Sequence, residues 1–219
     1  MALYTKRGTK LEVTEIKKNA VSKALREIYI DGEYAFPLYE NNIRALKIKE
    51  GSIIDEMFYQ EKLFPLISKN ALMDGLSYIA RVNCTTGQVK EKLKKRKYPD
   101  AAIEQVMAYI EEKGFIDDYE YALSFAKISV KKGKGEKYIS FELLKRGISD
   151  ETVNEVISLT RDESKLFSVA EKKLSAILKG KEKPDYKELN KLKEYLMRQG
   201  YGYEEISEAV SRLMIEYED

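Results

Sequence analysis

Histidine and tryptophan are absent from this sequence of 219 residues, cysteine occurs once and proline four times. Imidazole is the usual general base near neutral pH and the commonest biological metal ligand. Without it, Ser-His and Cys-His nucleophile pairs and His-zinc sites are excluded. Asp, Glu, Lys and Tyr remain as acid–base groups, but the balance shifts toward a binding protein. The lone Cys84 has no intramolecular disulfide partner, which points to a reducing, cytoplasmic setting. It stands just before a helix cap and reads as a small space-filler. No apolar run approaches the length of a membrane span, and the opening MALYTKRGTK has no apolar signal core. An excess of one charge is lacking too, with 39 Lys and Arg against 37 Asp and Glu.

What is present is a chain 43% hydrophobic and 35% charged, polar for a globular protein yet too apolar for disorder. Its length suits one long or two small domains with a real core. The balanced total hides local polarity. Segment 87–97, GQVKEKLKKRK, carries six basic residues against one acidic, and 127–137, KISVKKGKGEK, carries five against one. Acidic counterparts are EEKGFIDDYE at 111–120 and the terminal EYED. Such asymmetry orients a partner where the average charge does not.

The first sixty residues read differently from the rest. LEVTEIK (11–17) alternates as a half-buried strand does. In REIYIDGEYAF (26–36), β-branched and aromatic residues flank Asp31-Gly32, a dipeptide that accepts the positive φ angles of a type I′ hairpin turn. Pro37, lacking an N–H, is expected to stop the second strand. A short helix over about 39–46 and a turn at Gly51 complete a small three-stranded antiparallel sheet. From about residue 53 the period becomes helical. Pro65 is expected to kink or restart a helix, and Leu72, Leu76, Ile79 and Val82 are placed on a buried stripe.

The strongest signal is a repeat of about fifty residues. Aligning Leu93, Leu143 and Leu196 also aligns Tyr98, Ile148 and Tyr201, then Ile103, Val153 and Ile206, then Met107, Ile157 and Val210. Four residues before each leucine stand Val89, Ile139 and Leu192. Each unit thus ends in a short helix and an amphipathic one joined by a tight turn. An earlier helix precedes each pair, over 72–82, 119–130 and 165–178. Thr85-x-x-Gln88 is a capping box and Asp117-x-x-Glu120 resembles one, Ser149 is an N-cap, and Gly114 and Gly147 occupy helix-ending positions. The expected fold is mostly α: three tandem three-helix repeats in an elongated curved array, preceded by a small antiparallel β-rich extension. The expected boundaries are 1–60 for the extension and 61–117, 118–161 and 162–219 for the repeats. A charged insertion at 179–188 reads as a flexible loop.

The stretch KGFIDDYEYALSFAK (113–127) followed by KKGKGEKYISFELLKRGISDETVNEVI (131–157) resembles the core of the RecX family, bacterial regulators of the RecA recombinase. The matching elements are Gly114-Phe115-Ile116-Asp117-Asp118, Tyr121-Ala122, the basic connector Lys131 to Gly135, and Ile139 through Ile148. IYIDGEYAF with LKIKEGSIID resembles the β-rich extension of one group of that family. Unit three departs from the pattern: Tyr203 stands where the other units carry Asp, and the insertion has no counterpart. The resemblance implies a monomeric, cytoplasmic protein without cofactor or catalysis of its own. Its implied partner is the RecA–DNA filament, whose growth, ATPase and strand exchange it restrains.

Lysines 90, 94 and 97 have the i, i+4, i+7 spacing of one helix face. Lys131, Lys132 and Lys134 form a flexible basic connector, followed by Lys137. With Lys95, Arg96, Lys145 and Arg146 they are the candidate residues for contact with RecA or DNA. The bland alternative is a solvated helix face and a soluble loop. A stand-alone DNA- or RNA-binding protein acting through the same basic stripe is the competing function. Gly133-Lys134-Gly135 lacks the spacing and the following Ser or Thr of a phosphate loop. Adjacent helical carboxylates such as Asp117 and Asp118 diverge by about 100°, so a paired acid–base or metal role is disfavoured. Tyr98, Tyr109, Tyr119, Tyr121 and Tyr138 lie near the basic clusters, where stacking on bases competes with ordinary packing.

Overall fold

The computed structural model describes residues 11–218. The opening segment read above for a signal core and Asp219 of the acidic end lie outside the described residues. The chain divides into two compact units, Met1–Ile116 and Asp117–Asp219.

Among the described residues the sheet of the first unit has four strands, not three. β1 (Leu11–Lys18), β2 (Leu25–Ile30), β3 (Glu33–Tyr39) and β4 (Ile53–Ile54) lie in the order β3-β2-β1-β4, all neighbours antiparallel. Asp31 (φ 49°) and Gly32 (φ 85°) make the β2–β3 turn in the left-handed geometry that type I′ requires. Pro37 does not stop β3, which continues to Tyr39 with Pro37 opposite Glu27. β3 is an edge strand, where a missing backbone donor is tolerated. After α1 (Glu40–Ala45), α2 (Glu56–Phe58) leads into a π-helical turn at Tyr59–Leu63, and Pro65 sits in the first turn of α3 (Phe64–Ile79). The three segments are contiguous, so Pro65 restarts the helix directly behind a π-helical turn, a local break of the regular ladder of the kind proline provokes. α4 (Thr86–Lys95) and α5 (Asp100–Glu112) complete the unit.

The seam of α3 differs from the expected stripe. Ile67, Asn70, Ala71 and Gly75 are buried, Leu72, Leu76 and Ile79 are only partly so, and Val82 is exposed. A Cβ on Gly75 would stand 3.3 Å from Val106 Cγ1, so the small residues let α3 approach α5 closely. One hydrophobic core joins sheet and helices, running from Val13, Ile28 and Phe36 through Leu63 and Ile67 to Val89, Leu93, Ile103 and Ile110.

The second unit holds two three-helix groups. α6 (Asp118–Lys131), α7 (Glu136–Lys145) and α8 (Asp150–Thr160) enclose Ala122, Ala126, Ile139, Leu143, Ile148, Val153 and Val156. α9 (Glu163–Leu178), α10 (Tyr186–Gln199) and α11 (Tyr203–Glu218) enclose a separate cluster that includes Leu174, Leu192, Leu196, Ile206 and Leu213. The aligned positions Val89, Ile139 and Leu192, and Leu93, Leu143 and Leu196, are all buried. Met107 and Ile157 are only partly buried. Segment 179–188 is not a free loop. α9 ends at Leu178, Asp185 and Glu188 form a capping box that opens α10, and Lys181 Nζ donates to Glu188 Oε1 at 2.7 Å. The Lys181 contact holds the Glu188 carboxyl below its ordinary pKa.

Candidate functional site

The basic clusters grow out of one recurring helix ending. After α4, α7 and α10 the chain turns through a left-handed residue: Lys97 (φ 63°), Gly147 (φ 81°) and Gly200 (φ 94°). The N–H of the following residue then reaches back: Tyr98 to Leu93 O (3.3 Å), Ile148 to Leu143 O (3.2 Å) and Tyr201 to Leu196 O (3.3 Å). A second bond joins each left-handed residue to the carbonyl three before it, at 2.8, 2.9 and 3.0 Å. This is the Schellman pattern, which satisfies carbonyls orphaned at a helix end. Cations gathered there also complement the negative end of the helix dipole. Part of the charge clustering therefore has a structural cause.

In the first unit the predicted contacts split. Lys90 and Lys95 are exposed, and Lys94 is exposed with Glu91 3.8 Å away. Arg96 turns inward and pairs with Asp74, which also accepts from the hydroxyls of Tyr98 (2.8 Å) and Tyr39. Lys97 lies beyond α4, so its left-handed backbone takes it off the face shared by Lys90 and Lys94. Its Nζ donates to Glu27 Oε2 at 2.7 Å and sits 5.2 Å from the Tyr34 ring centre, while its carbonyl accepts from the Tyr34 hydroxyl. Glu27 is only 4% exposed. Arg96 and Lys97 thus tie helices to sheet. Tyr98 is buried beside Asp74, which removes it from base stacking.

In the second unit Lys131, Lys132, Lys137 and Lys145 are exposed. Among the described residues no ion pair joins any of them to an acid. Arg146 is committed internally, 2.6 Å from Glu142 and 4.6 Å from the Phe125 ring centre. Lys134 is half-buried, donates to Gln199 Oε1 at 2.8 Å and lies 4.6 Å from the Tyr138 ring centre. Exposed Lys172, Lys187 and Lys191 escaped the sequence reading because acids are interspersed among them. The i, i+4 spacing of Lys187 and Lys191 was the available signal.

The glycine connector is a joint and not a flexible loop. Gly133 and Gly135 are buried. The Gly135 N–H donates to Gln199 O at 2.9 Å and the Lys137 N–H to Gly200 O at 3.0 Å. The amino end of α7 is thus capped by the carboxyl end of α10, aligning opposite ends of two helix dipoles. Among the described residues α7 has no side-chain cap, whereas α4 and α10 each carry a capping box. A Cβ on Gly135 would stand 2.5 Å from the Gly200 carbonyl carbon, and one on Gly133 2.8 Å from Val169 Cγ2. Two amides that a phosphate would need are already bonded. Beside the joint is a cleft of about 220 Å³ lined by Ile139, Leu166, Tyr201 and Arg212, among others. Arg161 at its rim lies 3.5 Å from Glu136 and 3.7 Å from Glu205. Among the described residues the buried Tyr201 hydroxyl has no hydrogen-bond partner, and burial pushes its pKa up to about 12.

The acidic residues serve the scaffold. Asp117 Oδ1 accepts from the Glu120 N–H at 2.9 Å, and Ser149 Oγ from the Thr152 N–H at 3.2 Å. Among the described residues no cluster of three or more His, Cys, Asp or Glu suits a metal ion, and no helix is long and apolar enough to cross a membrane.

Comparison with known proteins gives concordant matches. Residues 117–157 match the second three-helix domain of RecX and residues 161–210 the third. The chain is 32% identical over 209 residues to the regulatory protein RecX of Clostridium botulinum (strain Eklund 17B / Type B), covering 92% of this chain and 93% of that one. With the regulatory protein RecX of Clostridium beijerinckii it shares 29% identity over 94% of this chain and 95% of that one. A crystal structure of regulatory protein RecX superposes with a TM-score of 0.60 at 20% identity, covering 92% of this chain and 99% of that one. RecX from Lactobacillus salivarius gives 0.58 at 21%, covering 67% and 96%. At those identities the two structures speak for the fold.

Proposed function

Because this chain belongs to the RecX family of regulatory proteins, we propose that it binds the RecA–DNA filament and restrains its recombinase and ATPase activities, with no catalysis of its own. The observation that carries the reading is the 32% identity to a regulatory RecX protein over 92% of the chain. The exposed lysines support it. Lys90, Lys94 and Lys95 in the first unit and Lys131, Lys132, Lys137 and Lys145 in the second supply cations to an acidic polymer, either phosphates or acidic protein surface. Arg96, Lys97, Lys134 and Arg146 hold the scaffold that presents them. In this reading the protein is a monomer working in the cytoplasm, built from an extension (1–60) and three repeats (61–117, 118–161 and 162–219).

The test follows ATP hydrolysis by RecA on single-stranded DNA as the protein is added. Inhibition is expected at far less than one molecule per RecA protomer, because one docked molecule affects a polymer. Inhibition that sets in only when the protein saturates the DNA would replace this reading with simple competition by a nucleic-acid binder.

A further inference from the structure

The outer face of α7 is not simply polar. Phe141 is 63% and Leu144 40% exposed, and their i, i+3 spacing puts them side by side. Counting from the aligned leucines, the same positions hold Glu91 and Lys94 in the first repeat and Glu194 and Met197 in the third. Neither of those pairs is wholly apolar. The charges one helical turn to either side of Phe141 are of one sign. Lys137 and Lys145 stand one turn before and one turn after Phe141, and Lys145 Nζ is 5.9 Å from its ring centre. The acids of α7 are engaged elsewhere: Glu142 with Arg146 at 2.6 Å and Glu136 with Arg161 at 3.5 Å. An exposed apolar centre between two cations, with the local acids turned aside, marks an interaction surface more than a solvated face.

We propose that the outer face of α7 is a docking face for an acidic protein segment of the filament, one that brackets apolar side chains with carboxylates. This rests on the filament-binding reading above and names which component of the filament this face meets. Lys137 and Lys145 are eight residues apart, so the complementary carboxylates stand about 12 Å from one another. A nucleic-acid occupant fits less well. Phe141 offers a stacking plane, but Leu144 has none, and a phosphate backbone presents little aliphatic surface to cover it. Burying Phe141 and Leu144 against apolar groups gives the contact a centre that added salt does not screen.

The test compares the full chain with a Phe141→Ser/Leu144→Ser double variant, measuring affinity for RecA filaments on labelled single-stranded DNA and for the same DNA alone. The expected result is a loss of about tenfold or more on filaments, with affinity for bare DNA unchanged. Equal loss on both would assign the face to nucleic acid and overturn the proposal. Undiminished filament binding would overturn it while leaving the filament reading intact. Failure of the unaltered chain to bind filaments would remove that reading and this one together. Should the double variant unfold, Lys145→Glu gives the same comparison, with the same selective loss expected.

Discussion

Lys131 and Lys97 show how neighbouring cations come to different uses. Lys131 ends α6 in solvent with no ion pair to an acid among the described residues, whereas Lys97 is bonded to a buried carboxylate. Reversing the charge of Lys131 and Lys132 together is therefore expected to weaken filament binding while the melting temperature stays put. If phosphates are the target, the log–log salt slope falls by about one unit per lost contact. Lys97→Gly is a different experiment. It relieves a left-handed non-glycine backbone, worth about 1 kcal/mol, but takes the Lys97 cation from the buried Glu27 carboxylate, which keeps its hydrogen bonds from Asn19 and Tyr29. The net expectation is destabilisation by roughly 2 kcal/mol, with partial recovery when Glu27→Gln is added. Denaturant unfolding of the single and double variants checks it. The caps at Thr85, Asp117 and Ser149 were legible because a cap lies within three residues of its partner. The inward turns of Arg96 and Lys97 were not, since Asp74 and Glu27 are remote in sequence.

Among elements, the repeated helix ending carries most of the regularity, and it was legible as the aligned leucines and the residues after them. What escaped was contact between elements. The α3 seam is built from Ala71 and Gly75 because close approach outweighs side-chain size. The GKG connector reads as flexible from composition, yet its amides meet the end of α10. Gly135 tests that joint cleanly. It is not among the positive-φ glycines, so alanine suits its backbone and only the clash with Gly200 remains. Gly135→Ala is expected to cost about 2–3 kcal/mol. Gly180→Ala, with open space around it but φ 95°, is expected to cost about 1 kcal/mol. Hydrogen exchange read along α7 distinguishes a lost joint from general loosening.

At the scale of the molecule, the threefold pattern, the family resemblance and a boundary near residue 117 were visible in the sequence, while the grouping of the second repeat with the third in one compact unit was not. Periodicity reports that repeats are alike, not which of them exchange hydrogen bonds. The first unit has its own continuous core of sheet and helices. The helices of the second repeat lean on the third through backbone bonds. Removing residues 162–219 is accordingly expected to abolish slow exchange in α6–α8 and leave it in α3–α5, as read by exchange mass spectrometry. Persisting protection of α7 would show that its amino end needs no partner. The same dependence sets an order of events on the ribosome. The amino end of α7 is translated well before Gln199 and Gly200, a delay of roughly 3–13 s at ordinary elongation rates. Until then the nascent second repeat waits with open amides, a window in which a chaperone would find it and the finished protein would not.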